Sequence, residues 1–193
     1  AERPVAKQDL RQILEAGRWA PTAHNMQNFD ILVVDEPALL GALGNINAPL
    51  SETFIKENYQ QLSFSEEELL RKKTGLLAAM FPPFMRTPGS QPDAATGEQI
   101  GSFQGRLIRT SPVLLIVVYD PRKRAPASEG DFLGIMSLGC VMENLWLMAH
   151  ALGLGCHILS VLSADPVAQE VKRLLTIPTD LKIAFALRLG YPI

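Results

Sequence analysis

Cysteine is nearly absent from this sequence: its 193 residues include only Cys140 and Cys156. So few at this length exclude a disulfide framework and point to two reduced, buried thiols in a cytoplasmic protein. An excess of charge of either sign is also missing. Lys and Arg number 18 against 20 Asp and Glu, a formal net charge of −2, so no whole-chain field draws nucleic acid or anionic lipid. The basic cluster Arg122-Lys123-Arg124 follows Asp120-Pro121 without interleaved aromatics and reads as a solvated turn, not a nucleic-acid patch. No clean transmembrane run is present either. The nearest, Phe132 to Leu154, is interrupted by Glu143, Asn144, His150 and several glycines, which predicts a helix buried in protein. Ala1 to Leu10 is charged and has no apolar centre, so it does not read as a signal peptide. The expectation is one domain over residues 1–193, with no membrane and no nucleic-acid partner, long enough to bury roughly 70% of its unfolded surface.

The usual catalytic signatures are lacking too. There is no G-x-S-x-G elbow, H-E-x-x-H helix, paired C-x-x-C or Walker A stretch, so hydrolase, metal and nucleotide-triphosphate readings have no anchor. Cys140 and His150 are ten residues apart in one predicted helix, about 280° round it, and do not share a face. Cys156 and His157 are neighbours in a predicted strand and point to opposite sides. Gly153-Leu154-Gly155 follows a helix and precedes a strand, the reverse of a phosphate-cradling loop.

The elements that are present alternate. Asp9, with Gln12 three residues on, has the form of a capping box, and Leu10, Ile13, Leu14 and Gly17 give the helix one packing face until Pro21 stops it. Phe29 to Val34 reads as a buried strand, Leu39 to Ile46 and Ser51 to Leu62 as helices, and the stretch from Ser65 as a helix with acids first and bases last. From Phe81 to Gly101 prolines and glycines predict an irregular loop, either a lid or an idle insertion. Pro112 to Tyr119 is apolar on both faces and therefore interior. The apolar helix from Phe132 closes on Gly153. Cys156 to Leu162 then reads as a strand, Asp165-Pro166 as the start of a helix packing through Val167, Val171, Leu174 and Leu175, and Lys182 to Tyr191 as a last strand. Because the helix from Phe132 is apolar nearly all round, it needs cover from a second copy of the chain or from the domain's own sheet.

Between the first helix and the first strand stands Pro21-Thr22-Ala23-His24-Asn25-Met26-Gln27-Asn28. A mere corner would be shorter and richer in glycine. Thr22, Asn25 and Gln27 offer a hydroxyl and two amides that can read the edge of a flat heterocycle or, alternatively, satisfy only the backbone of their own loop.

This segment carries a resemblance. Ile13 to Val34 resembles the entry motif of the nitroreductase family, a helix followed by P-[ST]-x-x-N-x-Q and a strand. Val141 to Val161 is similar to that family's central helix, glycine turn and strand, and Leu174 to Pro192 to its closing helix, strand and Gly-Tyr-Pro end. Asn28 stands where the family commonly has proline, and Phe29 where it often has tryptophan. The family's Arg-Arg-Ser-x-Arg run before Pro4-Val5, and the basic residue past Gly-Tyr-Pro, are not found in this sequence; Arg3 and Lys7 are the nearest candidate cations for a phosphate.

The resemblance implies an α+β, nitroreductase-like fold with a four- to five-stranded, mainly antiparallel sheet surrounded by helices, in an intertwined homodimer that binds FMN across its interface. It implies an oxidoreductase in which NADH or NADPH gives a hydride to flavin N5 and a small planar aromatic acceptor, such as a nitroarene or quinone, then takes the electrons. Catalysis is the flavin's, so no catalytic side chain is assigned. By the same resemblance Thr22, Asn25 and Gln27 contact FMN, while Leu159, Ser160 and Val161 present backbone groups near N5. Within the stretch where the resemblance gives out, Phe81, Phe84 and Met85 either stack on the acceptor or anchor the loop. The alternatives to an enzyme are a non-catalytic flavin-binding module and a cofactor-free structural dimer on the same scaffold.

Overall fold

The computed structural model describes residues 3–47, 50–59, 63–71, 89 and 94–192. Its elements in chain order are α1 (Lys7–Arg18), β1 (Phe29–Val34), α2 (Pro37–Gly44), α3 (Glu52–Tyr59), α4 (Glu66–Arg71), α5 (Ala94–Arg109), β2 (Val113–Tyr119), α6 (Phe132–Ala151), β3 (Gly155–Ile158), α7 (Val167–Leu175) and β4 (Lys182–Gly190). Short 3₁₀ turns occupy Ala23–Asn25, Glu129–Asp131 and Ser160–Ser163. The four strands form one antiparallel sheet in the order β1-β2-β4-β3. The expected α+β architecture is therefore what the chain adopts.

β2 sits at the centre of the core. Leu114, Leu115, Ile116 and Val117 are each 0% exposed, because β1 and β4 flank the strand and both sheet faces are covered. On one face Leu114, Ile116, Val118 and Ala186 pack with α2, α7 and the Ser160–Ser163 turn. On the other, Val113, Leu115, Val117 and Leu187 pack with Ile13 of α1 and with Leu138, Val141, Leu145 and Ala149 of α6. α1 lies close against α6 because of Gly17: a β-carbon there would come within 2.7 Å of Leu145 Cδ2.

Several boundaries differ from the sequence reading. α1 starts at Lys7, with extended Ala6 at its cap and no side-chain cap bond. Asp9 cannot serve as that cap, being inside the first turn, and its carboxylate instead accepts a hydrogen bond from Tyr191 at 3.3 Å. At α4 the local signal is realised: Ser65 N–H donates to Glu68 Oε2 at 2.8 Å and Glu68 N–H to Ser65 Oγ at 3.2 Å, a reciprocal capping box. The stretch expected to be irregular to Gly101 is helical from Ala94 onward. Gly97 does not break that helix; it lets α5 approach Ile55, whose Cδ1 would lie 2.8 Å from an added β-carbon. β3 ends at Ile158, short of Leu162, because Leu159 makes one last bond to Ala186 O and the chain then turns into Ser160–Ser163. Pro166, expected inside the first turn of α7, occupies its cap. Gly153 stops α6 as expected, at φ +73°.

α6 departs further from its expected burial. One stripe enters the core, but Phe132, Ile135, Met136 and Leu147 are 53–64% exposed. Glu129–Ala151 is also long and apolar enough to cross a membrane, by length and composition alone; here the inner stripe of α6 is core packing against α1 and the sheet.

Ile116, central and fully buried, is the sharpest probe of this arrangement. Ile116→Ala is expected to cost about 2–5 kcal/mol in urea unfolding, and a loss below about 1 kcal/mol would mean that β2 is not the core strand.

Candidate functional site

The sequence between α1 and β1 folds into a turn with unusual backbone. His24, Asn25 and Gln27 have φ of 51°, 54° and 44°. Left-handed backbone is uncommon outside glycine and costs on the order of 1–3 kcal/mol per residue, so the surroundings must hold it. Within the turn, Asn25 N–H donates to Thr22 O at 2.9 Å, Met26 N–H to Ala23 O at 3.1 Å, and Gln27 N–H to Thr22 Oγ1 at 3.1 Å. Ahead of it, Ala23 N–H donates to Ser137 Oγ at 2.8 Å and Asn144 Nδ2 donates to Ala16 O at 3.0 Å, both from α6. Behind it, buried Asn28 donates to Lys123 O at 3.0 Å and its own carbonyl accepts from Asp120 N–H at 3.2 Å.

These bonds sort the predicted polar residues. The Thr22 hydroxyl serves its own turn, and the Gln27 amide reaches Arg18 O only at a long 3.5 Å. The Asn25 side chain is exposed and has no hydrogen-bond partner among the described residues. Asn28, where the family pattern has proline, is a structural brace.

Leu159, Ser160 and Val161 lie immediately after β3. Leu159 and Val161 are buried at 0% and 4% exposure, and Ser160 is exposed. Leu159 N–H is used by the sheet. Ser160 and Val161, opening the 3₁₀ turn, have backbone N–H groups with no partner among the described residues.

The two groups of residues are not brought together within one chain. β1 and β3 are opposite edges of the sheet, three strand spacings or roughly 14 Å apart. Along the strands they are also offset: β1 starts beside Tyr119, whereas β3 stops at Ile158 opposite Leu187, level with Leu115 and Val33, though it points toward the end where β1 starts. A cavity of about 710 Å³ lies elsewhere, lined by Asn45, Asn47, Glu98, Ser102 and Arg109 among others, and includes none of the predicted site residues. Phe81, Phe84 and Met85 fall outside the described residues.

Beside the turn, Trp19 is 71% exposed, its indole N–H donating to Glu15 Oε1 at 2.7 Å. Hydrogen bonds from Arg18 and then from Trp19 hold the Glu15 carboxyl down at about 2. Trp19 borders a hollow of about 510 Å³ with Arg11, Gln12, Glu15, Ala16 and Met148. The cysteines offer no nucleophile of evident use: burial pushes the Cys156 thiol up to about 11, leaving it protonated near neutrality. Burial and then the Arg188 charge lower the pKa of His157, favouring neutral imidazole. Among the described residues no group of three or more His, Cys, Asp and Glu is placed to hold a metal ion.

Sequence reasoning missed Ser137, the left-handed backbone, and the bracing by Asn28. Ser137 and Asn144 did leave a signal, two polar residues seven apart in a helix whose only other polar residues are Glu143 and His150.

Comparison with known proteins yields a family-model match, described as Nitroreductase family, over residues 1–191. No curated protein matches the sequence. Among solved structures, an FMN-dependent nitroreductase from Clostridium difficile R20291 is 17% identical at TM-score 0.60, covering 99% of this chain and 79% of its own. A nitroreductase family protein from Clostridium novyi NT is 16% identical at TM-score 0.64, covering 100% and 77%. An oxidized iodotyrosine deiodinase bound to FMN and 3-iodo-L-tyrosine is 22% identical at TM-score 0.60, covering 100% and 82%.

The brace behind the turn carries a pH dependence. Hydrogen bonds from the Arg122 side chain and backbone hold Asp120 down at about 2, against about 3.9 unfolded. Its stabilisation is therefore present above pH ~4 and lost as pH falls through the folded value. Asp120→Asn is expected to flatten the loss of stability between about pH 4 and 2, read by urea unfolding across that range; identical acid profiles would show that the pair does not matter.

Proposed function

The chain belongs to the nitroreductase family, and on that premise we propose that it is an FMN-dependent oxidoreductase working as a homodimer. The observation that carries this reading is the pairing of two incomplete half-sites with a bare apolar face. Each chain presents a pinned, left-handed turn at one sheet edge and, at the other, two backbone N–H groups with no partner among the described residues. A second copy related through the bare face of α6 would bring one chain's turn to its partner's β3 edge. Phe132, Ile135, Met136, Trp146 and Leu147 make that face, with exposed Glu143 and His150 among them, and leaving its apolar part in water is unfavourable.

The residues present fit a planar, polar group. The Asn25 amide can bond the heteroatom edge of a flavin ring, with Thr22 and Gln27 shaping the turn beneath it. The Ser160 and Val161 N–H groups can donate to a ring that gains negative charge on reduction. Leu159 and Val161 keep that wall apolar and exclude water. Arg3, stacked over the Tyr191 ring at 3.8 Å, and Lys7 are the candidate cations for the phosphate. Bound FMN would supply the redox chemistry, accepting hydride at N5 from NADH or NADPH and delivering it to a small planar electrophile such as a nitroarene or quinone. The acceptor would meet Phe81, Phe84 and Met85 if these form the lid.

Purified protein mixed with FMN and desalted is expected to retain a flavin spectrum that bleaches with NADH or NADPH. Retention without bleaching would favour a flavin-binding module, and no retention a structural dimer. Asn25→Ala is expected to weaken FMN binding about tenfold, the scale of one good hydrogen bond, with unchanged far-UV circular dichroism; equal affinity would remove Asn25 from the site. Sedimentation velocity is expected to show a dimer of the 21.2 kDa chain. Ile135→Glu on the bare face is expected to yield a monomer that no longer retains FMN, and an unchanged dimer would move the interface off α6.

A further inference from the structure

Ser137 and Asn144 stand seven residues apart on α6, two helical turns, and so lie on one face of it. Both bonding functions of the Ser137 hydroxyl are used: it accepts from Ala23 N–H at 2.8 Å and donates to Leu133 O at 2.7 Å. The residue is only 5% exposed. Asn144 donates to Ala16 O at 3.0 Å, near the end of α1. These two bonds bracket the passage from α1 through Trp19 and Pro21. The bond at Ala23 falls directly before His24, the first left-handed residue. α1 already packs on α6 through Ile13 and the close approach at Gly17, so the bond at Ala23 is not needed to dock the helix.

We propose that Ser137, aided by Asn144, is a positioning residue for the flavin: the pair clamps the entry to the strained turn and keeps it in its ligand-ready form before the ligand arrives. The proposal rests on the flavin reading above. A non-glycine left-handed turn relaxes toward ordinary backbone once its anchor is released. The apparent dissociation constant equals the intrinsic one divided by the ready fraction, so relaxation in nine molecules of ten weakens binding about tenfold. The hydroxyl of Ser137 touches neither ring nor acceptor in this arrangement; it acts through Ala23.

The test compares the wild-type chain with Ser137→Ala, Ser137→Thr and Asn144→Ala. FMN affinity is read by quenching of flavin fluorescence, the turn by amide hydrogen exchange at Ala23 to Gln27 without FMN, and the fold by far-UV circular dichroism. Ser137→Ala is expected to bind FMN about tenfold more weakly, alter the visible circular dichroism of the bound flavin, and exchange its turn amides about tenfold faster. Ser137→Thr, which keeps the hydroxyl, restores all three; Asn144→Ala shows a smaller loss of the same kind. If the wild type binds FMN and Ser137→Ala matches it in affinity and flavin dichroism, the clamp is wrong, whatever its melting temperature. If the wild type takes up no FMN, the flavin reading fails and with it the clamp's role toward FMN. Unchanged turn exchange in Ser137→Ala overturns the clamp independently of FMN.

Discussion

A strand without a solvent face sets the terms for this molecule. From Val113 to Val118 every residue of β2 is at most 1% exposed, so the chain must cover both sides of the sheet. It does so with α1 and α6 on one face and α2, α7 and a short turn on the other. Each layer then has a second duty. α6 must lie along the sheet to bury Leu138, Val141, Leu145 and Ala149, and its opposite stripe is thereby turned outward. α1 must reach α6 closely enough to use Gly17, which sets the point from which the chain crosses to β1. The candidate turn inherits its place from the demand for cover.

The strands were legible because their signal is local and of one kind. Val113 to Tyr119, Phe29 to Val34 and Lys182 to Gly190 are mainly apolar runs bounded by charge, proline or glycine, and each forms a strand at close to the expected limits; Phe29 to Val34, expected to be buried, is instead an edge strand in which only Val34 is buried. The helix starting near Ser65 was legible from its acids first and bases last, and the structure adds a local capping box between Ser65 and Glu68. Asp9 was not, because its partner is Tyr191, far along the chain, and long-range bonding overrode the local capping pattern. The beginning of α5 was obscured by Gly97, which reads as a breaker but is needed for close packing on Ile55. For α6, periodicity registers apolar residues all round without telling which stripe the chain itself will cover.

The candidate site was legible by residue type more than by geometry. Thr22, Asn25 and Gln27 stood out because hydroxyl and amide groups are strange company for a simple corner. That His24, Asn25 and Gln27 would be left-handed could not be read from them, since no glycine marks the positions. Their conformation is imposed from outside, by Ser137 ahead and by the Asn28 and Asp120 brace behind. A serine inside an apolar helix gives little notice of such a role. The division of labour inside the segment also emerged only in three dimensions, with Asn28 turned to the fold and Asn25 left facing out.

The placement of the half-sites on opposite edges of one sheet has a consequence for how such a protein would be handled. On the proposed reading, no single chain can hold the cofactor, so occupancy and assembly become one linked equilibrium. Dilution below the point where copies separate would release ligand even when free ligand is unchanged. Added ligand would in turn draw separated copies together. Apparent affinity would then vary with protein concentration, and a weak value measured on a dilute sample would report the association of the chains as much as the quality of the site.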